Sequence, residues 1–168
     1  MISIDSSTSV TGWAKFENGN FVESGVIDLN TYQHKKIYKN NLDKRVEDMG
    51  LKILELLSYH QPDIIIIEKL NVGRNMVSVR ALSKIIGIVY CYSIMNKCFY
   101  YEIQATQWRS KLGMQSSKVK RDEYKKLSIN YVKNNFGIDV ISDDESDAIC
   151  AGIGYIKLFT EDDSNVSS

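Results

Sequence analysis

The chain has 168 residues, 43% hydrophobic and 25% charged, with 21 acids balancing 21 bases. This size and composition are typical of one globular domain that buries its own core without disulfide staples. The N-terminus lacks the basic and apolar regions of a secretory signal, and the longest uncharged apolar stretch, residues 85–95, is too short to span a bilayer. We therefore expect a cytoplasmic protein, with Cys91, Cys98 and Cys150 as buried thiols that bind no zinc.

The balanced total conceals a strong segregation of charge along the chain. Residues 69–101 contain no acid, residues 109–126 carry seven bases against two acids, and residues 139–163 carry eight acids against one base. Such a distribution can place a basic face beside an acidic pocket, which keeps a nucleic-acid partner open. For the basic run at 118–126, an ordinary solvated helix surface is an equally adequate interpretation.

The N-terminal third predicts three strands. "MISID" alternates in polarity and ends on Asp5, and the two alternating runs of "SVTGWAKFENGNFVESGVID" flank Asn18-Gly19, a strong hairpin signal. Residues 30–41 are polar and aperiodic, as in an exposed connection. Apolar residues then recur at helical spacing from Leu42 to about Tyr59.

The remainder predicts strands alternating with helices. "IIIIE" is a β-branched run typical of a strand covered on both faces, and residues 97–103 form another strand candidate. Helices are expected at about 76–95, 118–134 and from the acidic segment to about Phe159, with a loop or short helix over 105–117. The predicted fold is a five-stranded mixed α/β sheet, its first three strands antiparallel, flanked by helices. Residues 1–160 form the domain and 161–168 a flexible tail.

Four carboxylates stand at positions that suit a metal site. Asp5 and Glu68 each end a predicted strand, and Asp144 and Asp147 are three apart on one helix face. If the two strands are neighbours and the helix docks there, the four acids converge and repel one another unless divalent metal relieves the repulsion. Oxygen ligands suit Mg²⁺ or Mn²⁺, and two ions can clamp a phosphodiester during hydrolysis.

Each acid also has a purely structural interpretation. Asp5 can start a turn with the serines after it, and Glu68 can simply solvate a strand end. Ser142 and Glu145 match a capping box, and acids in a first helical turn suit the helix dipole. The joint pattern of the four carboxylates favours the metal site over these readings taken one by one.

Four motifs together resemble a known family. "ISIDSSTSVTGWAKF", "IIIIEKL", "YEIQATQWRSKLGMQSSKVKR" and "DDESDAICAGIGY" follow the order found in RuvC-type Holliday junction resolvases of the RNase H-like superfamily. The resemblance covers nearly the whole chain and is closest to the divergent phage-encoded branch. It implies an RNase H-like fold and a metal-dependent endonuclease that resolves four-way and related branched DNA by paired symmetric nicks, leaving 5′-phosphate and 3′-hydroxyl ends.

Carried over position by position, the family pattern assigns Asp5, Glu68, Asp144 and Asp147 as catalytic metal ligands for two Mg²⁺ or Mn²⁺ ions. Asp143 and Glu145 are then acids of the helix start or acids that contact the metal ligands. The family's basic residues after the fifth strand match Arg109 and Lys118, with Lys120 and Arg121 nearby. Such residues would contact DNA phosphates.

The sequence departs from the family after the glutamate. Bacterial relatives carry a base-stacking aromatic there, whereas this chain has Asn71, with Lys69 and Arg74 as possible electrostatic substitutes. The family also forms homodimers through the following helix, which would explain why residues 85–95 are apolar on every side; simple burial explains it equally well.

Other functions are distinguishable. An RNase H-like core can act on RNA–DNA hybrids, on flaps or in strand transfer, and a junction-binding protein without catalysis is a further alternative. The "DSSTSVTGW" turn also suggests a sugar-kinase or actin-like nucleotide-binding module, but that reading requires a second phosphate loop and a longer chain.

Overall fold

The computed structural model describes residues 1–30, 38, 41–70, 75–114, 121–140 and 142–160, with residues 121, 122 and 160 described in the backbone only. The predicted tail at 161–168 and most of the connection at 30–41 lie outside these ranges. The elements follow the predicted order: β1 (Ile2–Asp5), β2 (Val10–Glu17), β3 (Asn20–Asp28), α1 (Leu42–His60), β4 (Ile64–Glu68), α2 (Met76–Asn96), β5 (Phe99–Ile103), α3 (Ala105–Lys111), α4 (Arg121–Phe136) and α5 (Asp143–Thr160).

The five strands form one mixed sheet in the order β3-β2-β1-β4-β5. β1 pairs antiparallel with β2, and β2 with β3, whereas β1, β4 and β5 run parallel. The β2–β3 hairpin turns at Asn18 and Gly19, whose φ angles of 50° and 78° are the positive values that a tight two-residue turn requires. The predicted fold class is confirmed.

Helices cover both faces of the sheet and create two cores. Ile2, Ile4, Ile65 and Ile67 pack with α1 and α2 on one face, whereas Ile66 packs with residues of α3, α4 and α5 on the other. Because neighbouring strand residues point to opposite faces, a strand serving two cores must be apolar at every position. This accounts for the uninterrupted isoleucine run of β4, as predicted.

Among the described residues, helix α2 packs against the domain through one side. Residues such as Ala81, Ile85 and Val89 are buried, but Ile94 and Met95 are 60% and 81% exposed. The prediction of three buried thiols is therefore wrong for Cys91, which is exposed; Cys98 is half-buried, Cys150 is buried, and all three are free. By length and composition alone α2 would suit a membrane span, but its buried side packs into the core shared with α1.

The helices of the C-terminal third differ from the sequence prediction mainly at their ends. Of the two alternatives predicted for residues 105–117, a loop or a short helix, residues 105–111 adopt the helix, α3. Helix α4 extends to Phe136, two residues beyond the predicted end. The centre of the Phe136 ring lies 5.2 Å from the centre of the Phe21 ring. Gly137, with a φ of 69°, then ends the helix as predicted. Residues 118–120, predicted to begin this helix, lie outside the described ranges.

Candidate active site

Asp5 and Glu68 lie side by side at the carboxyl ends of two neighbouring parallel strands. Ile4 of β1 is in register with Ile67 of β4, which puts Asp5 and Glu68 one step further along. Ser3, two residues before Asp5, donates to the carbonyl of Ala148 on α5, 2.5 Å away. Since strand side chains alternate with a period of two, both carboxylates lie on the sheet face that α5 covers.

Gly12 allows the start of α5 to approach Asp5. It is the β2 partner of Asp5 in the antiparallel ladder, and a Cβ atom at this position would overlap the backbone carbonyl of Asp144. The first turn of α5 therefore lies directly on the strand residue opposite Asp5. Sequence reasoning missed this role of Gly12; the only signal was a glycine interrupting an alternating strand.

Asp147 follows Asp144 by about one turn of α5. It is mostly buried, because only 14% of its side chain is exposed. Burial is the largest cause that raises its pKa to about 6, and the negative charges of Glu68 and Asp143 raise it further, against hydrogen bonding to Ser128 and the positive charge of Arg109. The contribution of Glu68 to this pKa means that the charges of Asp147 on α5 and Glu68 on β4 influence each other. Asp147 Oδ1 is buried without a hydrogen-bond partner in the described part of the chain.

The raised pKa of Asp147 predicts a pH dependence of stability in the metal-free protein. Because the carboxyl pKa is 3.8 ordinarily and about 6 in the fold, the folded state holds its proton more tightly than the unfolded state. Stability should therefore fall as pH rises from about 4 to about 6, by up to about 3 kcal/mol. Urea unfolding in EDTA should show this fall in the wild type and not in Asp147→Asn; identical pH profiles would contradict it.

The other two acids of the segment make structural contacts. Asp143 forms an ion pair with Lys125. Ser142 Oγ accepts the backbone N–H of Glu145 at 3.1 Å, which confirms the helix cap. The carboxylate of Glu145 is buried and accepts a 2.7 Å hydrogen bond from Ser24 Oγ of β3. These contacts account for Asp143 and Glu145 as acids of the helix start.

The four carboxylates are of the right chemical type for a hard divalent cation, but their side chains do not form a closed binding site in the described part of the chain. Carboxylate oxygens are the ligands that Mg²⁺ and Mn²⁺ prefer, and Asp147 offers a buried, unpaired oxygen. Within the described ranges, however, no three Asp, Glu, His or Cys side chains stand close enough together to hold an ion. Carboxylates without a counter-ion repel one another, so binding of an ion would have to bring these side chains closer together.

The predicted basic residues are only partly described. Arg109 is inside the site: its Nη2 lies 3.7 Å from Asp147 Oδ2. Lys69 follows Glu68 and is exposed, and its backbone N–H donates to the carbonyl of Ile103 at 2.9 Å. The remaining calls lie outside what the structure describes, namely Asn71, Arg74, Lys118, Lys120 and the side chain of Arg121.

Two aromatic residues that sequence reasoning missed surround Arg109. Its guanidinium carbon lies 4.6 Å from the ring centre of Trp108 and 4.7 Å from that of Tyr124. The Trp108 indole N–H also donates to Glu68 Oε2 at 3.2 Å. The motif "QWRSK" contained the tryptophan, but nothing in a sequence shows that an indole reaches a carboxylate forty positions earlier.

Comparison with known proteins finds sequence similarity to RuvC proteins and a fold shared with Holliday junction resolvases. No family model matches the chain. It is 23% identical to the crossover junction endodeoxyribonuclease RuvC of Caldicellulosiruptor saccharolyticus over 170 residues, covering 97% of this chain and 98% of the relative. It is also 23% identical to the RuvC of Hydrogenovibrio crunogenus over 164 residues, covering 95% and 88%.

Solved structures share the fold. Thermus thermophilus RuvC in complex with Holliday junction substrate matches with a TM-score of 0.70 and 14% identity, covering 96% of each chain. The Fowlpox virus resolvase in complex with Holliday junction DNA matches with a TM-score of 0.60 and 14% identity, covering 94% of this chain and 96% of that one. The solved structures share the fold of this chain, and the nearly full-length sequence similarity is to RuvC proteins, the family that the four motifs resemble.

Proposed function

We propose that this protein is a divalent-metal-dependent endonuclease that resolves four-way DNA junctions by paired nicks with 5′-phosphate and 3′-hydroxyl ends. One observation carries the proposal: acids from two adjacent strand ends and one helix start are brought to the same sheet edge. Asp5 and Glu68 are neighbours on parallel strands, and the Asp144 backbone touches the partner of Asp5. Asp147 lies 3.7 Å from Arg109, whose neighbour Trp108 donates to Glu68.

In this proposal Asp5, Glu68, Asp144 and Asp147 hold two Mg²⁺ or Mn²⁺ ions. When bound, such ions activate water and stabilise the charge that develops on a scissile phosphate. Arg109, stacked between two rings, supplies a fixed positive charge beside Asp147. Arginine suits phosphate because its planar donors match two oxygens at once. Lys69, exposed after Glu68, would bind the DNA backbone and thereby position the junction.

The uncovered side of α2 supports a homodimer. Tyr90, Ile94 and Met95 are large, apolar and at least half exposed, and Tyr90 and Ile94, four residues apart, lie on the same face of the helix. Contiguous exposed apolar surface of this kind marks an interaction site. A two-fold dimer would present two active sites to a junction that is itself nearly two-fold symmetric, which explains paired nicks.

The dimer makes a specific prediction. Ile94→Glu places a charge on the exposed side of α2 and should convert the protein to a monomer in light scattering, since a buried unpaired charge is costly. Leu51→Glu is the matched control, because Leu51 is similarly exposed (52%) but lies on α1; this variant should remain dimeric. A wild type that is already monomeric, or a dimeric Ile94→Glu, would argue against this interface.

A substrate comparison tests the proposed activity. End-labelled four-way junction, flap, RNA–DNA hybrid and plain duplex are incubated with and without Mg²⁺ or Mn²⁺. We expect symmetric nicks in the junction only when metal is present, and weaker junction binding at higher salt because phosphate contacts dominate. Preferential cleavage of hybrid or flap would support the alternative nuclease functions, and metal-independent binding without nicking would support a non-catalytic junction-binding protein. A phage origin and a cytoplasmic location remain predictions from the sequence.

A further inference from the structure

Trp108 contacts both an acidic and a basic residue of the candidate site. Its indole N–H donates to Glu68 Oε2 at 3.2 Å, and its ring carries the guanidinium of Arg109 at 4.6 Å. Among the described residues, one side chain thus contacts both a proposed metal ligand and the proposed phosphate-binding arginine. Neither contact follows from the carboxylate pattern.

The ring itself is held firmly. Trp108 has no exposed surface and packs in the core with residues such as Ile66, Ile103 and Ile149. Helix α5 approaches it so closely that a Cβ atom at Gly154 would overlap the Trp108 Cβ atom. A buried ring in a close-packed core has few alternative rotamers, so the position of its N–H is set by the sheet and by α5.

We propose that Trp108 is a positioning residue, which fixes the Glu68 carboxylate for a divalent cation and holds Arg109 beside it. This inference rests on the proposed metal-dependent function. A glutamate has three rotatable bonds, and a hydrogen bond from a fixed donor removes part of that freedom before a cation binds. The indole nitrogen can only donate, which matches a carboxylate oxygen as its acceptor. Partners that orient a metal ligand in this way strengthen metal binding.

The test compares two tryptophan variants for Mn²⁺ binding without DNA. Trp108→Phe keeps an aromatic ring in the core and removes the N–H. Trp13→Phe is the matched control, because Trp13 is the second of the two tryptophans and packs in the opposite core, with its ring 5.2 Å from that of His60. By calorimetry, we expect Mn²⁺ to bind about 10-fold more weakly to Trp108→Phe and unchanged to Trp13→Phe.

A double-mutant cycle separates positioning from general destabilisation. If Trp108 acts through Glu68, Trp108→Phe should not weaken Mn²⁺ binding further in a Glu68→Gln background. Trp13→Phe also leaves Trp108 as the only tryptophan, so Mn²⁺ should quench its fluorescence with the affinity that calorimetry gives. This measurement needs no substitution at Trp108 and therefore does not depend on whether Trp108→Phe folds.

The outcomes distinguish this inference from the proposed function. The positioning role would be overturned by equal Mn²⁺ affinity in Trp108→Phe and Trp13→Phe, or by Trp108 fluorescence that saturating Mn²⁺ does not quench. If the wild type still cleaved junctions, the proposed nuclease function would stand. A wild type that neither binds Mn²⁺ nor nicks junctions would overturn both.

Discussion

Asp147→Asn should bind four-way junctions as the wild type does and fail to cut them. The substitution preserves the size of the side chain but removes the charge of a carboxylate that is mostly buried and repelled by Glu68. An amide is a poor ligand for a divalent cation compared with a carboxylate. Substitution of a residue that only orients a metal ligand typically lowers metal affinity or activity by about 10- to 100-fold. Replacing a ligand itself should have a larger effect, so we expect the nicking rate to fall by about 100-fold or more.

A gel-shift titration and a single-turnover nicking assay on one labelled junction measure the two properties separately. Asp139→Asn provides the control, because Asp139 belongs to the same acidic segment but is 80% exposed and pairs with Lys133 at 2.6 Å. It should cut normally, since exposed ion pairs contribute little. Nicking by Asp147→Asn at a rate near that of the wild type would remove Asp147 from the catalytic set.

Gly12→Ala should impair both folding and cleavage, although it adds one methyl group far along the sequence from α5. That methyl would overlap the Asp144 carbonyl, so the start of α5 must move away from the sheet. Overpacking in a close-packed interior costs about 1–3 kcal/mol. Because the displacement is centred on Asp144, we expect junction nicking to fall by at least about 100-fold, the loss that 1 Å misplacements can cause.

Urea unfolding and nicking rates measured on the same preparation test this expectation. The matched control is Gly87→Ala, where the added Cβ meets nothing within 4 Å. Since alanine is a better helix former than glycine, this control should be neutral or slightly more stable. If Gly12→Ala unfolded and cut as the wild type does, the proposed contact between β2 and the start of α5 would be wrong.

Much of the fold could be predicted because short stretches of the sequence determine it. Asn18-Gly19 encodes a turn through its backbone preferences, and the isoleucines of β4 encode a strand with two buried faces. Asp5 and Glu68 could be placed in one crevice because ligand sites gather at the carboxyl ends of parallel strands. The pairing of β1 with β4 satisfied the one condition that this inference required.

The remaining features depend on contacts between distant parts of the chain, which periodicity does not specify. Glu145 could be predicted at the helix start, but not the hydrogen bond that its carboxylate accepts from Ser24, 121 positions away. Cys91 looked buried because its neighbours are apolar on all sides of the helix; the sequence could not show that only one side of α2 is covered. Trp108 likewise became part of the site only through its reach to Glu68.

The most direct measurement is anomalous diffraction from crystals of the protein grown with Mn²⁺ and a four-way junction. We expect two Mn²⁺ ions at the strand ends, coordinated by oxygens of Asp5, Glu68, Asp144 and Asp147, with the junction phosphate beside them. Manganese bound elsewhere, with these four carboxylates still apart, would contradict it.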